Sequence, residues 1–201
     1  WQSGASGHVI VGTLITASAT LLPEAITQLR QVVPDVVVTV RVGPNSTLFP
    51  ALARGELDVV VGVLPQDTSA LLFDTFERAR LTHVALYEEA LYVVVGRQNP
   101  LARRRKIRLA DLQGLEWIVP TQDSVAYPSV RALFENEGLA MPRRLVESVS
   151  ILTNIGLVTS GSMVALIPQS AAERFAEAGL LTILPLQGLS PGWATWASLL
   201  A

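Results

Sequence analysis

The order of its apolar segments is the feature that most constrains how this chain can fold. Apolar, strand-like segments occur at residues 9–15, 36–42 and 57–63, and the apolar residues between them recur at helical spacing. A helix between two strands returns the chain to the starting edge of a sheet, so the strands can pair in parallel. The segment order therefore predicts an α/β fold built on a parallel sheet.

Small polar residues follow the first two of these strands. Thr16, Ser18 and Thr20 come after the first strand, and residues 43–47, with the sequence GPNST, come after the second. Parallel strands end at one edge of the sheet, where the following helices begin and present free backbone N–H groups. Such an edge suits a polar or anionic small molecule. The pattern therefore favours a ligand-binding domain over an enzyme.

The first two helices have recognisable faces and ends. In the first helix the apolar residues lie on one face, which predicts that this face is buried. They are Leu22, Ala25, Ile26, Leu29, Val32 and Val33. The second helix is predicted over residues 47–54, with Leu48 above Leu52. It ends at Gly55, a residue suited to a left-handed position after a helix.

A second alternation of strands and helices begins after the strand at residues 91–96. The sequence predicts a helix near 109–112, a strand at 117–119, a polar turn at 120–124 and a helix at 129–137, followed by further strand–helix pairs up to residue 184. The last strand, residues 193–200, needs a sheet to join. Its return to the first sheet would give two α/β lobes with crossings near 87–90 and 186–191, which would act as a hinge.

Composition and charge narrow the classes of function. The net charge of −2 and the isoelectric point near 5.7 argue against DNA binding by this chain alone. Cysteine is absent, which excludes disulfides and zinc–thiolate sites, and a cytoplasmic location is consistent with that absence. The sequence starts at Trp1 and not at Met. We therefore expect it to be a fragment or a processed product of a longer protein, with an N-terminal portion missing.

No catalytic set is recognisable. His8 and His83 lie far apart without cysteine or carboxylate at metal-binding spacing, and the adjacent Glu88 and Glu89 would point to opposite sides of a strand. Phosphate-binding and nucleophile-elbow motifs do not occur. We therefore expect no enzymatic activity, no metal and no cofactor.

Five segments in order resemble the effector-binding domain of LysR-type transcriptional regulators, over nearly the whole chain. They are VGTLITASATLLPEAITQLRQVVPDV, VGPNSTLFPALARGELDVVVG, EALYVVVGRQNPLA, IRLADLQGLEWIVP and GLVTSGSMVALIP. The resemblance implies two Rossmann-like subdomains joined by a two-crossing hinge, as in type 2 periplasmic-binding proteins. Subdomain I would comprise residues 8–87 and 192–201, subdomain II residues 88–191, and residues 1–7 would be a linker remnant.

The resemblance also implies a function. Such domains hold a small organic effector in the cleft between the subdomains, here expected to be an organic or aromatic acid, and they associate as homodimers or homotetramers. DNA would be bound only by an N-terminal region beyond this chain. The alternative is an extracytoplasmic solute-binding protein of a transporter, which has the same fold. A purely structural oligomerisation module is a third possibility, disfavoured by the polar edge.

Residues are carried over from the family by position. Those expected to contact the effector are Thr16, Ala17, Ser18, Gly43, Asn45, Ser46, Leu64, Pro120, Thr121, Gln122, Tyr127, Ser148 and Val149. Pro44 is a departure from the family pattern, because proline offers no N–H where the family often has a hydroxyl residue.

Several of these residues have a simpler structural interpretation. Thr16, Ser18 and Ser150 could be helix N-caps, and Asp123 is interpreted as a cap of the next helix that points away from the ligand. The basic run at residues 103–106 is interpreted as a solvated surface.

Overall fold

The computed structural model describes residues 7–19, 21–64, 81–186 and 194–200, and the chain forms two compact units. The first unit comprises Trp1–Glu88 with Ala194–Ala201, and the second comprises Glu89–Trp193. Each unit is built on its own five-stranded sheet. Among the described residues, no helix is both long and apolar enough to cross a membrane.

The first sheet has a parallel centre, as the segment order predicts. Strands β1 (His8–Thr13), β2 (Val37–Val42) and β3 (Val59–Leu64) pair in parallel, with β1 in the middle of the three. Strand β4 (Thr82–Glu89) lies at the opposite edge from β2. Most of β3 is buried, as expected of a central strand that is covered on both faces.

The last strand of the chain returns to this first sheet. It covers Ala194–Leu200, here β10, and pairs antiparallel with β3, so that Thr195 lies opposite Leu64 and Leu200 opposite Val59. The sequence-based expectation that this strand joins the first sheet is confirmed. The polypeptide therefore leaves the first unit after β4 and re-enters it at β10.

The helices in the described part of the first unit are α1 (Ile15–Ala19), α2 (Leu21–Val32) and α3 (Asn45–Ala53). Helix α3 begins two residues earlier than predicted. Gly55 follows it at φ 71°, its N–H donates to the carbonyl of Leu52, and the N–H of Glu56 donates to that of Ala51. This pair of bonds closes the helix end as a Schellman motif, which a left-handed glycine allows.

The prediction that the apolar face of α2 is buried is wrong. Only Leu22 of this helix is buried, whereas Leu29 and Val32 are exposed, Val32 by 80%. The periodicity correctly identified a helix with an apolar row. It could not identify what covers that row, and in the described part of the first unit only its start at Leu22 is buried, while Ile26 and Val33 are half-buried.

The second sheet has the order β7, β6, β8, β5 and β9. Its strands are β5 (Leu91–Gly96), β6 (Trp117–Val119), β7 (Leu145–Glu147), β8 (Val164–Pro168) and β9 (Leu181–Ile183). Strands β6, β7 and β8 are parallel, and β5 runs antiparallel to β8. The carboxyl ends of the three parallel strands therefore share one edge of the sheet with Leu91, the first residue of β5.

Helices cover both faces of the second sheet. They are α4 (Tyr127–Asn136), α5 (Ile151–Ser160) and α6 (Gln169–Glu177), and short 3₁₀ turns cover Pro100–Arg103 and Leu109–Leu112. The segment predicted as a helix near 109–112 is thus a 3₁₀ turn. One core cluster places Trp117 edge-on against Phe134, with ring centroids 5.3 Å apart.

Candidate functional site

In the first unit, three predicted site residues lie in the short helix that follows β1. Thr16, Ala17 and Ser18 belong to α1, which begins at Ile15. The alternative interpretation of Thr16 and Ser18 as N-caps is therefore wrong, because both lie inside the helix. Ala17 is fully buried, and the Ser18 hydroxyl donates to the carbonyl of Ile15 at 2.6 Å.

The turn between β2 and α3 is fixed to its neighbouring strands. The N–H of Gly43 donates to the carbonyl of Thr13 at 3.1 Å, and Pro44 occupies the N-cap of α3 in an extended conformation. The amide of Asn45 donates to the carbonyl of Val63 on β3 at 2.7 Å. This turn is thus tied to β1 by a backbone hydrogen bond and to β3 by the side-chain amide of Asn45.

Two further predicted residues complete this edge. Ser46 is exposed in the first turn of α3, and Leu64 is the last residue of β3.

The side-chain oxygen of Asn45 is buried and has no hydrogen-bond partner among the described residues. It lies against Gly62, where an added Cβ would come within 2.9 Å of it. The Asn45 oxygen thus faces the backbone of β3.

In the second unit, Pro120, Thr121 and Gln122 follow β6 directly. Pro120 is buried, Thr121 is half-buried, and Gln122 is exposed. The side-chain amide of Gln122 donates to Glu147 Oε1 at 3.3 Å, which links the loops that follow β6 and β7. Tyr127 is half-buried at the start of α4.

The interpretation of Asp123 as the cap of the next helix is wrong. The N-cap position of α4 is Ala126, and no side chain caps it. Ser124 makes the local bond instead, since its hydroxyl oxygen accepts the N–H of Ala126 at 3.2 Å. Asp123 is exposed. Its carboxylate is therefore available at this edge of the second sheet.

Ser148 and Val149 lie between β7 and α5. The N–H of Ser148 donates to the carbonyl of Val119 at 2.9 Å, and its hydroxyl oxygen accepts the N–H of Ser150 at 3.2 Å. Ser150 is the N-cap of α5, and its hydroxyl oxygen accepts the N–H of Thr153. Its interpretation as a helix cap is therefore confirmed. Val149 is 45% exposed.

The sequence analysis missed two buried polar residues at the same edge. Glu89 is 2% exposed and accepts hydrogen bonds from the N–H and the hydroxyl of Ser170, at 2.9 and 3.2 Å. Asn154 is buried in α5, and its amide donates to the carbonyl of Ser148. No local pattern marks Glu89, because its partner lies 81 residues away along the chain.

Charge is distributed unequally over these segments. Residues 14–19 and 43–48 of the first unit contain neither an acidic nor a basic side chain. In the second unit, residues 120–127 and 147–154 contain Asp123 and Glu147 and no basic side chain. The segments therefore offer hydroxyl and backbone N–H donors in the first unit, and carboxylates as well in the second. Within the ranges that the structure describes, no group of three potential metal ligands occurs.

Comparisons of the sequence with known proteins agree with one another. Residues 2–200 match the LysR substrate binding domain. The HTH-type transcriptional regulator GbpR of Azospirillum brasilense is 30% identical over 91% of the chain. GbpR of Rhizobium radiobacter is 26% identical over 96% of it. The chain spans 52% and 62% of the lengths of these two relatives.

Solved structures show the same fold. The reduced OxyR regulatory domain from Pseudomonas aeruginosa aligns with a TM-score of 0.74 at 23% identity, covering 97% of this chain and 87% of that one. The BenM effector binding domain with its effector benzoate aligns at 0.70 and 22% identity, covering 98% and 83%. The two GbpR relatives are named as transcriptional regulators, which disfavours the solute-binding protein of a transporter.

Proposed function

Because the chain belongs to the LysR substrate-binding domain family, with the predicted type 2 periplasmic-binding-protein fold, we propose that it senses a small organic effector for a transcriptional regulator. The observation that carries the proposal is the family match over residues 2–200, together with polar, tightly positioned strand ends in each unit. BenM, a structural relative, is solved with benzoate as its effector. An organic or aromatic acid is therefore a reasonable first class of effector to test.

The proposed effector contacts come from both units. They are Thr16, Ala17, Ser18, Gly43, Asn45, Ser46, Leu64, Pro120, Thr121, Gln122, Tyr127, Ser148 and Val149. Ser46 is the strongest candidate in the first unit. It is exposed, and its hydroxyl forms no hydrogen bond with another described residue. Besides contacting the effector, Asn45 and Gly43 would hold the turn in place, since the Asn45 side-chain amide donates to Val63 of β3 and the Gly43 N–H donates to Thr13 of β1.

The proposed mechanism is a population shift. An effector that binds one arrangement of the two units more tightly than another raises the population of that arrangement. The coupling would then be passed to the DNA-binding part of a longer regulator. We propose a cytoplasmic location, since a DNA-binding regulator must reach the DNA. Sensing of this kind needs no catalytic group, and we infer that the chain is not an enzyme.

Self-association is the second part of the proposal. Helix α2 and the edge strand β2 expose large apolar side chains, namely Leu29 and Val32 on the helix and Val40 and Val42, which share one side of the strand. Apolar side chains on neighbouring elements, left uncovered, are typical of a protein–protein interface. A second copy of the chain is the proposed occupant, so that the regulator acts as a homodimer or a larger homo-oligomer.

A thermal-shift screen tests effector binding. The chain is heated with small carboxylates, aromatic acids, sulfonates, sugars and amino acids. A ligand at about 100 times its Kd adds roughly 2.7 kcal/mol, which raises the Tm by about 5–10 °C in a chain of this size. Ser46→Ala is expected to reduce the shift, whereas Ser160→Ala is not. Ser160 is also exposed, but it lies at the far end of α5.

Two results would contradict the proposal. Equal loss of the shift in both serine variants would show that Ser46 has no specific role. Absence of a shift with every class of ligand would remove the support for effector sensing and leave self-association as the function of the domain.

A further inference from the structure

Three large apolar side chains are exposed in the segments that follow β6 and β7 in the second unit. Leu152 is 79% exposed, Val149 is 45% exposed and Val125 is 41% exposed. Single exposed apolar residues are normal on protein surfaces. A group of them beside hydroxyl and carboxylate groups is characteristic of a ligand-contacting surface.

The backbone brings the loops that carry these residues together. Strands β6 and β7 are neighbours in register, with Val119 opposite Glu147. The N–H of Ser148 donates to the carbonyl of Val119, and the Gln122 amide donates to Glu147. Val125 on the first loop and Val149 on the second are therefore held on adjacent parts of one edge.

Leu152 has no role in the core of its own helix. In α5 the side chains of Ile151, Ile155 and Val158 are buried, as the helical spacing of 4 and 3 residues requires. Leu152 lies about 100° around the helix from Ile151 and points away from that core. A polar residue there would serve the fold equally well.

The charges at this edge favour a ligand part without negative charge. Helix N-termini attract anions, but here carboxylates of the protein itself already lie near these helix starts. Glu89 binds the start of α6 through Ser170, and Asp123 and Glu147 lie a few residues before α4 and α5. No lysine, arginine or histidine occurs in residues 120–127 or 148–154. An anionic group placed here would meet carboxylates without a compensating cation.

We infer that this edge of the second unit selects an effector that presents an uncharged, apolar face, such as an aromatic or alicyclic ring, to Val149 and Leu152. The inference rests on the proposed function, since it assigns specificity within the same effector site. Leu152 is then a specificity-determining residue that the family resemblance did not supply. The hydroxyl and N–H donors of the proposed site match the polar groups of that effector.

Matched ligands and matched variants test this assignment. Benzoate and cyclohexanecarboxylate carry the same charge as acetate and gluconate but add a ring. The ring-bearing acids are expected to bind at least about tenfold more tightly, as burial of a ring surface predicts. Leu152→Ser should weaken that binding by about fivefold or more. Leu180→Ser is the control and should leave that binding unchanged. Leu180 is 44% exposed but lies at the opposite end of the sheet, next to the first residue of β9.

The possible failures can be told apart. Tighter binding of gluconate or glucose, unchanged by Leu152→Ser, would overturn the inference and leave the proposed function standing. Loss of self-association in Leu152→Ser by sedimentation, with ligand affinity unchanged, would also overturn it and assign the residue to a contact between copies. Failure of all these ligands and of the wider screen would contradict the proposed function itself, and the inference with it.

Discussion

The carboxylate of Glu89 binds the first turn of α6 through Ser170, a residue 81 positions later in the chain. The backbone N–H of Ser170 donates to Glu89 Oε1 at 2.9 Å and its hydroxyl donates to Oε2 at 3.2 Å. The N–H of Gln169 donates to the carbonyl of Ala90 at 2.8 Å. The segment through which the chain enters the second unit is thereby fastened to a helix N-terminus of that unit.

Glu89→Ala is expected to destabilise the protein by about 2–3 kcal/mol, because it removes the buried acceptor of two hydrogen bonds. Denaturant unfolding measures the loss. Glu88→Ala is the matched control, since Glu88 is the exposed neighbour and its loss should change the free energy of unfolding by less than about 0.5 kcal/mol. Equal effects of the two substitutions would show that the Glu89–Ser170 contact contributes no stability.

Gly96→Ala should be strongly destabilising because the site has no room. An added Cβ would lie 2.2 Å from the carbonyl oxygen of Val158, which is backbone and cannot rotate away. Overpacking of this kind costs about 1–3 kcal/mol. Gly156→Ala is the control in α5, where an added Cβ meets nothing within 4 Å. It should stabilise the helix by about 0.5–1 kcal/mol. Thermal unfolding compares the two, and similar shifts would contradict the packing argument.

Val32→Asp should abolish self-association without unfolding the chain. Val32 is 80% exposed at the end of α2, so a carboxylate there costs the fold little but disrupts an apolar interface. Analytical ultracentrifugation measures the mass, and circular dichroism checks the fold. Gln31→Asp adds the same charge at the neighbouring exposed position, outside the apolar row. A wild-type chain that is monomeric at high concentration would refute the proposed interface.

Asp111 should give a pH-dependent contribution to stability. The backbone N–H of Arg108 donates to the Asp111 carboxylate at 3.0 Å, and the Arg108 guanidinium donates to it at 3.1 Å. The backbone bond, and to a smaller extent the guanidinium bond, lower the pKa of Asp111 below its usual value. A carboxyl group whose pKa is lower in the folded state stabilises above its unfolded pKa, and the contribution disappears as the pH falls through the folded pKa.

Unfolding of wild type and Asp111→Asn between pH 7 and pH 3 checks this dependence. The difference in free energy of unfolding should shrink as the solution is acidified. Arg108→Ala keeps the backbone donor and should therefore retain part of the effect. A difference in free energy of unfolding that stays constant between pH 7 and pH 3 would contradict the lowered pKa of Asp111 in the folded state.

Local sequence determined most of the secondary structure. Apolar runs identified β6 and β8, and Gly55 and Gly138 have the left-handed conformations expected after helices, at φ 71° and 66°. Ser150 caps α5 as its type and position indicated. These features depend on residues within a few positions of one another, so the sequence alone contains the cause. The order of segments likewise determined the α/β class. The return of the last strand to the first sheet was implied only by the family resemblance, and its pairing with β3 shows it.

Tertiary structure alone decided which faces are covered and which polar groups are already used. The apolar row of α2 shows in the sequence, but its exposure depends on which elements pack beside it. The sequence placed Asn45 after a strand but did not show that its side-chain amide donates to Val63, and Glu89 finds its partner 81 residues away. Leu152 is exposed because its neighbour Ile151 takes the core position. Burial and hydrogen-bond partners arise from contacts between segments distant in the chain, which local periodicity does not encode.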